Sequence, residues 1–233
     1  MHQKRLSAPR TYPMRVKSVG RFVAVPRPGP HPKKQSIPLS IIIRDILKYS
    51  ENGREAKKII KSGKIMVDGK TRRDHKYPVG IFDVIQIPET KESFRVVPGE
   101  KWLNLIKIPQ KENNTKICRI ENKTCVKGGK IQLNLNDGKN ILVKKDSYKT
   151  NDSVLIEVPN LNIKKHLSRK EGSLCLITRG RNKGKMGKIK KLKKTEGSRP
   201  NLVSVELNQK IIDLPEDCIF VIGEKEPIIK ISE

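Results

Sequence analysis

Cations without matching acids do one kind of chemistry: they neutralise anions, phosphate foremost. Three stretches of this 233-residue chain are built that way. In residues 53–73 (GREAKKIIKSGKIMVDGKTRR), helical spacing puts Ala56, Ile59 and Ile60 on one side and Arg54, Lys57, Lys58 and Lys61 around the other. Lys64, Arg72 and Arg73 follow in a predicted hairpin. In residues 172–197, Gly180, Gly184 and Gly187 punctuate a loop carrying Arg179, Arg181, Lys183, Lys185 and Lys188. Glycine there lets the backbone approach a surface closely while the cations supply charge. Residues 1–35 hold nine Lys or Arg and no acid, among them Arg10, Arg15, Lys17, Arg21, Arg27, Lys33 and Lys34. A lysine-rich helix surface alone is ordinary solvation. A formal net charge of +27, however, costs stability by self-repulsion unless a polyanion neutralises it.

Other chemistries lack their residues. A phosphate loop of the GxxxxGK[ST] kind is absent, because Gly180-Arg181-Asn182-Lys183-Gly184-Lys185 has the wrong spacing and Met186 follows the lysine. Cys118, Cys125, Cys175 and Cys218 form no CxxC pair, and His2, His31, His75 and His166 are too scattered to complete a zinc site. The cysteines are expected to be separate thiols in a reducing compartment. Asp45, Asp68, Asp74 and Asp83 read as caps and turns, and neither paired carboxylates nor a Ser-His-Asp set can be made out. No catalysis, cofactor, metal or small-molecule substrate is expected. No apolar run reaches the roughly 20 residues of a membrane span, and the N-terminus lacks the apolar centre of a secretory signal. An aromatic content of 4% argues against binding built mainly on base stacking.

Four segments position these charges. Residues 1–36 form an extended arm, since Pro26, Pro28, Pro30 and Pro32 forbid a continuous helix. The arm would offset its ordering entropy by laying cations along phosphates, with Tyr12 and Phe22 tacking it to a domain. Residues 37–88 make a small unit. Leu39, Ile42, Ile43, Ile46 and Leu47 recur at helical intervals, the 53–61 helix ends at Gly63, and strands are predicted at 64–67 and 84–87. Residues 89–170 are a β-rich spacer with predicted strands at 116–120, 131–135, 141–143 and 154–158, and a tight turn at Asp137-Gly138. Trp102, Leu103, Leu105 and Ile106 are expected to form a turn or short helix on that sheet. Residues 171–233 hold further strands around Leu174–Leu176, 203–207 and 218–222, and their last part is acidic.

Residues 37–87 resemble the alpha-L RNA-binding motif of ribosomal proteins, tRNA synthetases and pseudouridine synthases. The match lies in the helix 56–60, Ser62-Gly63-Lys64-Ile65, Val67-Asp68-Gly69 and the stretch 80–84. Gly53 departs from that motif, standing where a serine is usual. Residues 172–189 resemble a KOW element. Together with Leu6-Ser7-Ala8-Pro9-Arg10, Pro26-Arg27-Pro28-Gly29-Pro30-His31 and Ser36-Ile37-Pro38-Leu39, the order of modules resembles an archaeal and eukaryotic small-subunit ribosomal protein family, numbered four with the suffix e.

That resemblance implies an α+β multi-domain fold: the basic arm, a small alpha-L domain, a central β-barrel-like domain and a C-terminal SH3-like barrel. It also implies a non-catalytic cytoplasmic constituent of the small ribosomal subunit, a monomer touching ribosomal RNA and neighbouring ribosomal proteins. An RNA-modifying enzyme and a transcription or RNA-chaperone module are the competing readings.

Overall fold

A computed structural model describes residues 3–9, 11–13, 20–197, 199–208 and 210–231. It is a mixed α+β fold with several β-sheets, divided into two compact units: Met1–Val97 with Lys101–Lys116, and Pro98–Glu100 with Ile117–Ser232.

In the first unit the apolar run after Pro38 begins as the α-helical turn Leu39–Ile41 and continues as the π-helix Ile42–Ile46. The wider turn is visible where the Leu47 N–H donates to the Ile42 carbonyl, 2.9 Å away. Leu39, Ile41, Ile42 and Ile43 are all buried, which a narrow apolar stripe would not allow. The second helix, Gly53–Lys61, starts where sequence and physics agree. Asn52 accepts from the N–H groups of Arg54 (2.9 Å) and Glu55 (3.0 Å), while Glu55 reaches back to the Glu51 N–H (3.0 Å). Gly63, at φ +80°, ends it in the left-handed conformation a side chain would resist. Ala56 and Ile60 pack into one core with Ile65, Val67, Val79, Ile85 and Val96, and Tyr12 of the arm joins them.

A five-stranded sheet closes this unit, in the order Lys70–Thr71, Met66–Val67, Val84–Ile87, Glu92–Pro98, Leu103–Lys107. This corrects one expectation: Leu103 and its neighbours are a strand of this sheet, neither turn nor helix. Leu103 and Ile106 are buried three residues apart, a spacing that does not mark a strand, and the strand is made by its place beside Glu92–Pro98 in the sheet.

Charged groups lie inside this unit. The fully buried Lys116 ammonium donates to Asp68 Oδ2 at 2.7 Å and Asp83 Oδ1 at 2.5 Å, and His31 Nε2 lies 2.9 Å from Asp83 Oδ1. Asp83 Oδ2 also accepts the Gly80 N–H at 2.9 Å, and Asp68 Oδ1 the Val84 N–H at 3.1 Å. Burial alone would raise the Asp83 pKa; the charges of His31 and Lys116 outweigh it and hold the carboxyl well below the ordinary range. A Cβ on Gly80 would stand 2.3 Å from the His31 ring, so glycine is what lets the arm's histidine seat itself. Burial pushes the Tyr12 hydroxyl pKa far up, and that hydroxyl lies 3.4 Å from the Ala24 carbonyl.

The second unit holds two five-stranded sheets. One runs Asn140–Val143, Lys130–Leu135, Thr115–Val126, Ser153–Glu157, Asn162–Leu167 over a core of Cys118, Ile120, Leu133, Leu135, Val154, Ile156 and Val158. The predicted turn is there, with Gly138 at φ +74° and its N–H on the Leu135 carbonyl at 2.9 Å. The other runs Lys210–Pro215, Leu202–Leu207, Met186–Lys193, Leu174–Ile177, Ile219–Gly223. Its edge strand Lys210–Pro215 was not anticipated, because Ile211-Ile212 breaks the alternation that marks a strand. Arg119 stitches the unit together, its guanidinium donating to the Asp217 carbonyl at 3.0 Å. All four cysteines are free thiols.

Candidate nucleic-acid interface

The Gly53–Lys61 helix buries Ala56 and Ile60 and leaves Arg54, Lys57, Lys58 and Lys61 exposed, as its periodicity requires. None of the four takes part in an ion pair among the described residues. A row of unneutralised cations on a capped, core-packed helix costs repulsion and is ready for an external anion.

The hairpin beside it is held differently. Lys64 pairs with Glu89 at 2.9 Å, both side chains about half exposed. The Arg72 guanidinium stacks 4.4 Å from the centre of the Tyr77 ring, and its buried Nε has no hydrogen-bond partner. Burial raises the Tyr77 hydroxyl pKa to about 12, so the ring is neutral under that cation. Arg73 is exposed, its guanidinium beside Gly63. Stacking fixes the Arg72 plane while leaving its charge available.

In the arm, Arg10, Arg15 and Lys17 lie outside the described residues. Arg21 is exposed and stacks 5.7 Å from the Phe22 ring. Arg27 is tied to Asp74 at 3.1 Å, and its N–H donates to the Lys76 carbonyl at 2.9 Å. Lys33 and Lys34 stand exposed on the short 3-10 turn Lys33–Gln35, directly after the buried His31. Of the two aromatics expected to tack the arm down, Tyr12 is buried in the core and Phe22 is 53% exposed, and His31 is a further buried anchor.

In the second unit, Arg179, Arg181, Lys185 and Lys188 are exposed around the glycine loop. Gly180 and Gly184 have φ +88° and +86°, and a Cβ on Gly184 would sit 2.8 Å from the Pro98 carbonyl oxygen. The Gly184 N–H closes the loop on the Ile177 carbonyl at 2.8 Å. Lys183 is half-buried, and burial lowers its pKa. It is the least available cation of the set.

Sequence pattern missed Arg44, His75 and Lys76, which stand with Arg54 and Lys57 around the start of the helix. His75 and Lys76 belong to an irregular turn, where no periodicity exists to flag them. Among the described residues no helix is long and apolar enough to cross a membrane.

Comparison with known proteins follows the same segments. A model of the ribosomal family S4e matches residues 90–163, an RS4NT domain model residues 1–34, an S4 domain model residues 41–85 and a KOW motif residues 171–206. The chain is 46% identical over 235 residues to the small ribosomal subunit protein eS4 of Archaeoglobus fulgidus, covering 100% of this chain and 98% of that protein. It is 43% identical over 240 residues to the protein of the same name from Methanocaldococcus jannaschii, covering 99% and 97%. Its fold matches the crystal structure of the 30S ribosomal protein S4e from Thermoplasma acidophilum with TM-score 0.71 and 35% identity, over 82% of this chain and 96% of that one.

Proposed function

This chain belongs to the S4e family of ribosomal proteins, and on that premise we propose that it is a structural, RNA-binding constituent of the small ribosomal subunit. It works by binding, with no chemical step. The observation that carries the reading is the Gly53–Lys61 helix: four exposed cations, none ion-paired among the described residues, on a scaffold held by a cap and a buried core. Such a surface recognises folded RNA through phosphate contacts at fixed spacing, so specificity comes from shape more than from base edges.

In this reading the chain has four parts: a basic arm (1–36), an alpha-L RNA-binding domain (37–88), a central β-rich, barrel-like domain (89–170) and a KOW SH3-like barrel with an acidic end (171–233). The RNA-facing cations are Arg21, Arg27, Lys33 and Lys34 with Arg10, Arg15 and Lys17 in the arm; Arg54, Lys57, Lys58, Lys61, Lys64, Arg72 and Arg73 in the alpha-L domain; and Arg179, Arg181, Lys183, Lys185 and Lys188 on the glycine loop. Ribosomal RNA and neighbouring ribosomal proteins are its partners, in the cytoplasm, as a monomer within the ribosome.

Replacing Arg54, Lys58 and Lys61 together by alanine tests this. Filter binding of a small-subunit ribosomal RNA transcript against salt should show weaker binding and a log–log slope shallower by about 2–3, the value for roughly three lost phosphate contacts. Folding, read by circular dichroism, should be unchanged. An unaltered slope would sink the claim that these residues meet phosphates.

A further inference from the structure

A cleft of about 650 Å³ opens at the start of the Gly53–Lys61 helix. Of its nine lining residues, Arg44, Arg54, Lys57 and Lys76 are basic and none is acidic, and of these Arg44 is already paired with Asp45 at 2.7 and 2.8 Å. Its walls come from separate parts of the chain: the arm at Ala24, the first helical segment at Ser40 and Arg44, the second helix, and the turn at 75–76. The helix end is not itself the binding element, because Asn52 already accepts the Arg54 and Glu55 N–H groups. Side chains carry the charge. A Cβ on Gly53 would lie 3.7 Å from the Arg44 guanidinium, so glycine here leaves the mouth clear of a side chain beside that cation.

Two lining groups are of another kind. His75 has a side chain 20% exposed; burial first, then the charge of Lys57, lowers its pKa, with Lys76 and Arg27 acting the same way and Asp74 opposing them. At neutral pH it is therefore an uncharged imidazole, even among cations. Its Nδ1 lies 3.8 Å from Asp74 Oδ1, beyond hydrogen-bond reach. Ser40, whose N–H donates to the His75 carbonyl at 3.0 Å, has an Oγ shielded from solvent and without a hydrogen-bond partner.

The cations suit a phosphate, but a phosphate alone needs neither this volume nor an imidazole held uncharged among them. The volume lies within the range of about 300–1,000 Å³ typical of small-molecule sites, and it admits a whole nucleotide. We propose that this cleft holds one unstacked ribonucleotide of a single-stranded RNA segment, its phosphate on Arg54 and Lys57 and its nucleoside against His75. The inference deepens the RNA-binding reading and rests on it. A paired base cannot enter without leaving its stack, so the cleft selects loops and bulges over regular duplex.

The test follows the His75 ring protons by NMR through a pH titration of the full chain, assigned with His75→Gln. The additions are inorganic phosphate, UMP, tetrauridylate and a blunt RNA duplex. A phosphate on Arg54 and Lys57 offsets the Lys57 charge that lowers the His75 midpoint, so UMP and tetrauridylate should raise it. Contacts beyond the phosphate should make both bind at least about tenfold more tightly than inorganic phosphate, and the duplex should leave the midpoint unmoved. The double variant Arg54→Ala/Lys57→Ala should lose the response while keeping the rest of the spectrum; Lys210→Ala should retain it. Equal affinity for phosphate and UMP would reduce the cleft to an anion site and overturn the proposal, as would a shift caused equally by duplex, or no shift at all. If ribosomal RNA still binds with its full salt dependence while His75 stays silent, only the cleft assignment falls. Loss of both would take the RNA-binding reading with it.

Discussion

In the Gly53–Lys61 helix the exposed cations stand on side-chain packing: Ala56 and Ile60 are fully buried beneath them, and Asn52 fixes the first turn. In the loop after Leu174–Ile177 the cations stand on backbone instead. Gly180 and Gly184 adopt positive φ, and Gly184 leaves no room for a Cβ against the Pro98 carbonyl. The helix therefore spaces its charges by its own geometry, whereas the loop spaces them by turns that only glycine makes cheaply. The difference extends to tolerance. A helix cation can be replaced without touching the scaffold; the loop's critical residues carry no charge at all.

The largest break in that contrast should come from beneath the first unit. Lys116→Ala takes the shared ammonium from the buried Asp68 and Asp83, leaving His31 beside Asp83, and unfolding in urea should show a loss of about 3–5 kcal/mol. A milder result would mean water reaches the carboxylates. Gly184→Ala forces both an unfavourable φ and a 2.8 Å approach to backbone oxygen, so a loss of about 1–3 kcal/mol is expected. Its RNA affinity should fall although no cation has been removed. Were affinity unchanged, the loop would not be held by its glycines.

Asn52→Ala removes the acceptor for two N–H groups and should cost about 1 kcal/mol by thermal melting. Smallest at neutral pH, but diagnostic, is the acid response of Asp83. Its folded pKa is depressed below the unfolded value of about 3.9, so its contribution is complete above that pH and is lost as pH falls through it towards the folded value. The slope of urea midpoint against pH below about 4 should flatten in Asp83→Asn, measured against the already destabilised baseline of that variant.

Much of the first unit was legible because its signals are local. The capped helix, its apolar face, the stop at Gly63 and the strand Val84–Ile87 follow from spacing and turn chemistry within a few residues. The same holds for the turn at Asp137-Gly138 between Lys130–Leu135 and Asn140–Val143. The π-helix Ile42–Ile46 was not legible, because its residues read as an ordinary helical stripe until the core demands more than one buried side. Nor was Leu103–Lys107, whose five residues take their conformation from the neighbouring Glu92–Pro98 strand.

By itself, then, the sequence determined what this protein carries: a large excess of cations, distributed over an acid-free arm, an amphipathic helix and a glycine-rich loop. These depend on composition and short-range spacing, which the chain cannot fail to display. Tertiary structure alone decided which charges outside that helix turn inward and which distant ones come together. Lys116 reads as one more lysine at the head of a strand, yet it is fully buried because Asp68 and Asp83, 48 and 33 residues away, converge on it. Arg44, His75 and Lys76 read as unrelated residues, yet folding gathers them with Arg54 and Lys57 around one cleft. Such convergence depends on contacts between distant segments, which no local pattern encodes.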